Sequence, residues 1–363
     1  MGAQVCRPYT VVLIVPTGIG AAVGGYAGDA LPTARAIAAV ADRLITHPNV
    51  LNGAQLYWPM ANALYVEGYG LDQFATGHWG LRPVRQNRIG LVLDRAINDE
   101  LKWRHLQAAD AARATMGLEI INYVVTDKPL GVTLRTAASG ATWGTLDHPT
   151  SLLQAAKQAI AAGAEAIAVV ANFPDEEDPE TLDSYRQGQG VDPLAGAEAV
   201  ISHLIVREFQ IPCAHAPALP PLPLDPAISP KSAAEELGHT FLPCVLAGLS
   251  RAPQFIRHSM GQQQQLQERL QTGDIWADQV DAVVVPATAF GGSGVMALSQ
   301  MPAQIIGVAD NTTALTVTAE AMGIKAVTVG SYLEALGALV AHKAGISLEA
   351  MSPKMQSITP LKD

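Results

Sequence analysis

The chain has 363 residues, of which 49% are apolar and 15% charged, and its formal net charge is −10. Because globular proteins have about 25% charged residues, the composition predicts extensive burial, a homo-oligomer interface, or both. The acidic balance and the lack of any Lys/Arg cluster exclude a nucleic-acid backbone as partner, since phosphate binding needs clustered cations.

Apolar runs of strand length alternate with helical patterns along the chain. The predicted strands are residues 11–15, 89–93, 119–125, 166–171, 282–285, 305–308 and 326–329. The predicted helices are residues 32–41, 99–116, 151–162, 193–208, 232–237, 313–322 and 332–344. Val- and Ile-rich runs without polar alternation are typical of strands buried on both faces of a parallel sheet. The pattern therefore predicts a layered α/β fold with a mainly parallel sheet of βαβ units.

The segment 216–231 carries six prolines, which predicts an extended connector with little regular structure. A chain of this length fits either one large α/β unit or two lobes with separate cores. In the two-lobe arrangement, an N-terminal α/β lobe covers residues 1–215 and a C-terminal α/β lobe covers residues 232–363.

Two uncharged stretches, 8–28 and 282–309, have about the length of a bilayer span. Both are interrupted by proline and several glycines, which would weaken a spanning helix. The apolar run at 11–15 is short and ends in Pro-Thr-Gly, so it indicates a buried strand and a turn, not a signal peptide. Three cysteines without a CxxC pair fit a reducing compartment and give no zinc motif. We therefore expect a cytoplasmic protein that does not enter a membrane.

The first glycine-rich loop follows the strand at 11–15 and begins Pro-Thr-Gly-Ile-Gly. Gly18 and Gly20 begin a dinucleotide fingerprint, but the next glycine comes one place late, and the expected acidic residue about twenty positions on is missing. Two alternatives remain: a tight turn under close packing, or a small-anion site made by backbone N–H groups and a helix N-terminus. The binding residues predicted for the anion site are Thr17, Gly18, Gly20, Gly24 and Gly25.

A second glycine-rich loop follows the strand at 282–285. Because parallel strands end at one edge of a sheet, both loops are predicted to face one crevice. Asp310 and Asn311 follow the next strand, and they either cap the helix predicted at 313–322 or point into the same crevice. The binding residues predicted on this side are Thr288, Gly291, Gly292, Ser293, Gly294, Asp310 and Asn311.

Three residues are candidates for catalysis. His47 comes directly after a strand and precedes a proline, which suits presentation at a strand end. Cys213 and His215 are two apart in an extended segment and would face the same side, as a thiol–base pair or as two metal ligands. The alternative for each is a structural side chain of the core. No metal motif is present, and the pattern does not specify a cofactor.

Four stretches resemble an uncharacterised family that carries a domain-of-unknown-function label and is typical of cyanobacteria and related photosynthetic lineages; they are residues 15–30, 46–53, 188–203 and 212–219. The resemblance extends over nearly the whole chain. It implies a cytosolic setting, and it brings no known activity, cofactor or catalytic residue.

Two functions remain open at this point. The first is an enzyme of small-molecule metabolism that binds a carboxylate- or phosphate-bearing ligand between the glycine-rich loops. The second is a non-catalytic metabolite sensor or assembly protein that uses the same pocket. A pocket enclosing His, Cys and carboxylates together favours the enzyme, whereas one with only backbone donors favours the sensor. The low charged fraction and a mean hydropathy of +0.19 also predict a homo-oligomer.

Overall fold

The computed structural model describes residues 7–52, 56, 58–174, 179–220, 224–236, 242–257, 273–353, 355, 357 and 358. The strands in these ranges are β1 (Thr10–Leu13), β2 (Arg43–Thr46), β3 (Ala63–Tyr65), β4 (Trp79–Arg82), β5 (Ile89–Leu93), β6 (Ile120–Val125), β7 (Val132–Thr136), β8 (Thr142–Leu146), β9 (Ala166–Ala171), β10 (Cys213–Pro217), β11 (Gln254–Arg257), β12 (Ala282–Pro286), β13 (Gln304–Val308) and β14 (Val327–Val329). The α-helices are α1 (Leu31–Val40), α2 (Pro48–Leu51), α3 (Gly68–Ala75), α4 (Asp99–Met116), α5 (Pro149–Ala161), α6 (Pro179–Arg186), α7 (Ala195–Phe209), α8 (Ala233–Glu236), α9 (Leu242–Ser250), α10 (Ser293–Leu298) and α11 (Tyr332–Lys343).

A six-stranded parallel sheet is formed by the two ends of the chain. Its strand order is β14-β13-β12-β1-β2-β3. The central strand β1 pairs on both sides, so that Val11 is opposite Ala282 of β12 and Leu44 of β2. Val11, Val12 and Leu13 are fully buried, as expected of a strand covered on both faces.

The middle of the chain forms a second parallel sheet, of four strands in the order β10-β9-β5-β6. Two antiparallel pairs, β4 with β11 and β7 with β8, complete the strand pairing of the described residues. The predicted α/β fold with mainly parallel sheets is therefore confirmed.

The predicted connector at 216–231 does not coincide with a division between the sheets, because the six-stranded sheet takes strands from both sides of it. Residues 216 and 217 of the predicted connector form the end of β10. The other described residues of the connector, 218–220 and 224–231, form neither helix nor strand. The lack of regular structure there agrees with its proline content.

A homo-oligomer stays a prediction.

Local signals give several element boundaries directly. β5, β9 and α4 have the bounds that the sequence predicts. The α4 helix begins where the Asn98 side chain accepts a hydrogen bond from the Leu101 N–H, and it ends at Gly117 in the left-handed conformation, with φ of 67°.

The helix predicted at 313–322 is wrong. The backbone of Val317 instead bonds to the second glycine-rich loop, donating to the Thr288 carbonyl and accepting from the Phe290 N–H, both at 2.9 Å. Three β-branched residues, 316–318, favour this extended conformation over a helix. Val317 thereby supplies hydrogen-bond partners for the Thr288 carbonyl and the Phe290 N–H of the loop.

None of the described helices combines the length and the apolar composition that a membrane crossing requires.

Candidate functional site

A cavity of about 800 Å³ lies at the carboxyl ends of both parallel sheets. From the six-stranded sheet it is lined by residues that follow β1, β2, β3 and β12; from the four-stranded sheet it is lined by residues that follow β9 and by the end of β10. Helices α3, α4 and α7 supply most of the remaining wall. Ligands of parallel α/β sheets bind at this edge, so the cavity is the candidate functional site.

Several N–H groups of the first glycine-rich loop, residues 16–30, donate to oxygen atoms of the protein itself. The Gly24 N–H donates to a carboxylate oxygen of Asp29 at 2.7 Å, and the Ala27 N–H donates to Glu235 at 2.6 Å. Two further N–H groups, at positions 22 and 23, donate to oxygens of the segment 311–312. The chain's own carboxylates thus fill positions where an external anion would accept these hydrogen bonds.

Close packing explains two of the loop's glycines. Gly18 and Gly20 have φ of 70° and 58°, and a Cβ on Gly20 would lie 3.0 Å from the carbonyl oxygen of Gly190. A Cβ on Gly18 would lie 2.8 Å from the hydroxyl of Thr142. Of the five predicted binding residues in this loop, Thr17 and Gly25 line the cavity, while the other three, including Gly24, are outside its lining.

The second glycine-rich loop is also joined to a carboxylate. The Ser293 hydroxyl donates to Asp72 of α3, and a Cβ on Gly294 would lie 2.9 Å from the same carboxylate. Burial raises the pKa of Asp72, while the hydrogen bonds from Ser293 and from the Gly294 N–H partly offset that rise. Gly292, Ser293 and Gly294 line the cavity.

The remaining predicted residues on this side are outside the cavity lining. Asn311 is buried, and its amide accepts from the Val23 N–H at 2.9 Å and donates to the Val23 carbonyl at 3.0 Å. The Thr288 hydroxyl is 2.8 Å from the Thr313 hydroxyl, Gly291 packs near Val317, and Asp310 is exposed. These residues hold loops together instead of forming the wall predicted for them.

His47 lines the cavity, but its ring is already hydrogen-bonded to the backbone. Its Nε2 accepts the Val15 N–H at 3.0 Å, and its side chain is buried. Burial lowers the pKa of His47 to about 4. The imidazole is therefore neutral at pH 7, and its Nε2 lone pair is already used.

Cys213 and His215 lie on β10, but only His215 lines the cavity. The Cys213 thiol is buried among apolar side chains, and burial raises its pKa well above the usual range. His215 places Nδ1 3.1 Å from the Ser202 hydroxyl of α7 and Nε2 3.7 Å from a Glu198 carboxylate oxygen. The thiol is thus a core group, while the imidazole belongs to a polar cluster.

A histidine–carboxylate pair stands in the cavity wall. Nδ1 of His203, on α7, lies 2.5 Å from Oε1 of Glu67, which is 3% exposed. The other carboxylate oxygen of Glu67 accepts the N–H groups of Tyr69 and Gly70 at the start of α3. Burial lowers the pKa of His203, but the hydrogen bond and charge of Glu67 outweigh it, so the pKa is raised above 6.5. Glu67 is therefore fixed by a helix N-terminus and in turn fixes His203.

Carboxyl groups gather at another part of the same wall, where Asp192, Glu198 and Glu235 all face the cavity. Burial raises the pKa of Glu235 to about 7, and the charge of Glu198 adds to that rise. Burial and the charges of Glu198 and Glu235 raise the pKa of Asp192 well above its usual range. The Tyr185 hydroxyl donates to Glu235 at 2.9 Å. These three residues are called the acidic end of the cavity below.

Sequence reasoning missed Glu67, His203 and the acidic end. One signal was present: the predicted helix at 193–208 is apolar except for a few polar residues, among which Glu198 and Ser202 are four apart and so share a face. Glu67 and Glu235 gave no such signal: Glu67 is a single charged residue among apolar residues and glycines, and Glu235 is followed directly by a second glutamate.

Among the described residues, no group of three or more His, Cys, Asp or Glu side chains has an arrangement that could hold a metal ion.

A model of one protein family, described as Protein of unknown function (DUF3326), matches residues 10–352. The chain belongs to this family. The resemblance to a domain-of-unknown-function family is confirmed, as is its cyanobacterial affinity, because a curated relative comes from Synechococcus sp..

That relative is named an uncharacterized lipoprotein. It is 60% identical over 347 residues, which cover 96% of this chain and 94% of the relative. A solved structure of nucleotide-free acetone carboxylase is 18% identical and has a TM-score of 0.18; the match covers 42% of this chain and 20% of that chain. The structural likeness is too weak to inform the function. A cytoplasmic location stays a prediction.

Two glycines provide a matched test of the packing role. Gly20→Ala should lower the free energy of unfolding by about 1–2 kcal/mol, because alanine is strained at positive φ and would contact the Gly190 carbonyl. Gly292→Ala should change it by less than about 0.5 kcal/mol, because φ is −70° there and the added Cβ meets no atom within 4 Å. Urea unfolding measures both, and equal effects would contradict the packing role.

The stability contributed by neutral His47 depends on pH. Since its pKa is about 4 in the folded protein and about 6.5 in the unfolded chain, the unfolded state binds the proton first, and stability is lost as the pH falls from about 6.5 towards 4. Relative to His47→Gln, which cannot titrate, the wild type should lose up to about 3 kcal/mol over this window. Urea unfolding at several pH values measures the difference, and a pH-independent difference would contradict the buried, neutral state.

Glu67 should control the titration of His203. Glu67→Gln removes the negative charge at similar size, so the pKa of His203 should fall, whereas Glu100→Gln at the surface should leave it unchanged. Because the folded pKa is raised, the pair stabilises the fold most below pH about 6.5 and loses that effect as the pH rises through the folded value. NMR titration of the histidine ring signals measures both, and an unchanged His203 titration in Glu67→Gln would show that the pair does not form.

Proposed function

We propose that the protein is an enzyme of small-molecule metabolism whose active site is the cavity and whose general acid/base is His203. The observation that carries this proposal is the 2.5 Å contact between His203 Nδ1 and the buried Glu67 carboxylate in the cavity wall. Such a pair fixes the tautomer and orientation of the imidazole.

The chemistry follows from the two ring nitrogens. With Nδ1 2.5 Å from the Glu67 carboxylate, the neutral His203 tautomer protonated on Nδ1 has Nε2 available to take a proton from a substrate. Nε2 has no hydrogen-bond partner among the residues that the structure describes, and the side chain is 43% exposed. The charge of Glu67 then stabilises the imidazolium that forms. A pKa raised from 6.5 suits a group that both takes and returns protons near neutral pH.

The charges of the cavity lining argue for a substrate other than the anion that the glycine-rich loops suggested. Five carboxyl side chains line the cavity, and they are Glu67, Asp72, Asp192, Glu198 and Glu235. Arg104 is the arginine among the described lining residues, and its guanidinium already bonds to Glu100 at 2.8 Å. An anion would meet repulsion here, and the loop N–H groups at positions 22, 23, 24 and 27 already have acceptors.

We prefer the hypothesis of an enzyme to that of a non-catalytic sensor because of the side chains that line the cavity. A site built only from backbone donors favours a sensor, but this cavity combines histidines with carboxylates of raised pKa. Groups with shifted pKa values gather at catalytic sites. The predicted thiol is missing from the lining, so the support comes from acid/base groups alone.

Turnover of a metabolite mixture tests the proposal without a known substrate. Purified protein is incubated with a small-molecule extract of a cyanobacterium, and mass spectrometry follows which compounds disappear. At least one should be consumed, and His203→Gln should slow that reaction about 100-fold or more, as expected when a general acid/base is lost. His78→Gln is the matched control, because His78 is exposed and outside the cavity lining.

Equal rates in the wild type and His203→Gln would reject His203 as the acid/base. If no compound is consumed but one is retained by the protein in native mass spectrometry, the sensor reading replaces the enzyme.

A further inference from the structure

The acidic end of the cavity is short of positive charge. Glu198 has a basic neighbour in His215, at 3.7 Å, and this contact is longer than a hydrogen bond. Lys231, which lies near this part of the chain, donates its ammonium group to the Ala22 carbonyl. The histidine contact is made to Glu198, and the Lys231 ammonium lies 5.9 Å from the centroid of the Tyr26 ring. Like charges at close range among the three carboxyl groups oppose each other's ionisation.

The backbone and the tyrosines satisfy the acidic end only in part. Each oxygen of Glu235 accepts one hydrogen bond, from the Ala27 N–H and from the Tyr185 hydroxyl. Asp192 accepts from the Leu194 N–H through Oδ1. The remaining acceptor capacity, on Asp192 and Glu198, faces the cavity.

A buried hydroxyl without a partner stands beside the same carboxyls. Tyr26 is 3% exposed, and its hydroxyl has no hydrogen-bond partner among the described residues. Its ring stacks on Tyr185, with ring centroids 4.6 Å apart, and the charges of Glu235, Asp29 and Asp192 all act on the hydroxyl. Buried hydroxyls normally have a partner, so this one marks incomplete hydrogen bonding next to the carboxyls, behind the residues that line the cavity.

We propose that the substrate carries a primary ammonium group, which binds at the acidic end between Asp192 and Glu198. An ammonium group brings one positive charge and three N–H donors, which match the acceptor capacity left on Asp192 and Glu198 in the cavity wall. The inference rests on the proposed function in placing the substrate in this cavity, and it adds the chemical class that the cavity selects.

Three probes of equal length and different charge test the inference: hexylammonium, hexan-1-ol and hexanoate. Calorimetry with each probe should show hexylammonium binding at least about ten-fold more tightly than the other two, since hydrogen bonds to charged groups are the stronger ones. Its binding should release protons, because a nearby cation favours the ionised forms of Asp192 and Glu235. The released protons appear as a dependence of the heat on the buffer used.

Charge-removing variants locate the binding. Asp192→Asn and Glu198→Gln should each weaken hexylammonium binding about ten-fold or more and reduce the proton release, whereas Glu320→Gln, at an exposed position outside the cavity lining, should leave both unchanged. Circular dichroism and urea unfolding confirm that each variant is folded; if one is not, the other and the probe comparison in the wild type decide.

Three results would overturn the inference: hexanoate binding as tightly as hexylammonium, no measurable hexylammonium binding, or binding unaffected by both cavity variants. Because the probes bind without turnover, their failure beside a His203-dependent reaction rejects the ammonium site and leaves the enzyme proposal intact. Selective hexylammonium binding in a protein that consumes no metabolite would support the ammonium site and reject the enzyme proposal.

Discussion

Carboxylates of the protein itself bind the N–H groups of its glycine-rich loop. Asp29 and Glu235 accept from the first loop, and Asp72 accepts from Ser293 at the start of the second. Two of these carboxylates, Asp72 and Glu235, also line the cavity. The bonds that hold the loops therefore also place acidic side chains in the cavity wall. A glycine-rich loop after a parallel strand is thus an anion site whose anions the chain supplies.

Helix α7 joins the two halves of the site. Its neighbouring residues Ser202 and His203 contact different sheets: Ser202 reaches His215 on β10, and His203 reaches Glu67 after β3. The acid/base pair therefore holds its geometry only when both parallel sheets are in place. Residues held on packed elements keep the small tolerances that catalysis needs, which agrees with a site built on α7 and strand ends instead of on mobile loops.

The sequence predicted much of the fold because the relevant signals are local. Buried parallel strands such as β5 and β9 are short Val/Ile-rich runs, and α4 begins and ends with its own capping residues. The segment 313–322 has a helical pattern too, but its backbone bonds to a loop that is distant in sequence. Propensity is a weak preference that such a tertiary partner overrides.

The sequence by itself determined that two glycine-rich loops follow parallel strands, and hence which edge of a sheet carries the site. Only the tertiary structure decided which oxygens bind the N–H groups of the first loop, because an N–H group donates to any nearby oxygen and Glu235 is more than 200 positions from Ala27. It also decided the surroundings of each histidine. His47 is buried with Nε2 bound to the Val15 N–H, while Nδ1 of His203 lies beside the buried Glu67 carboxylate.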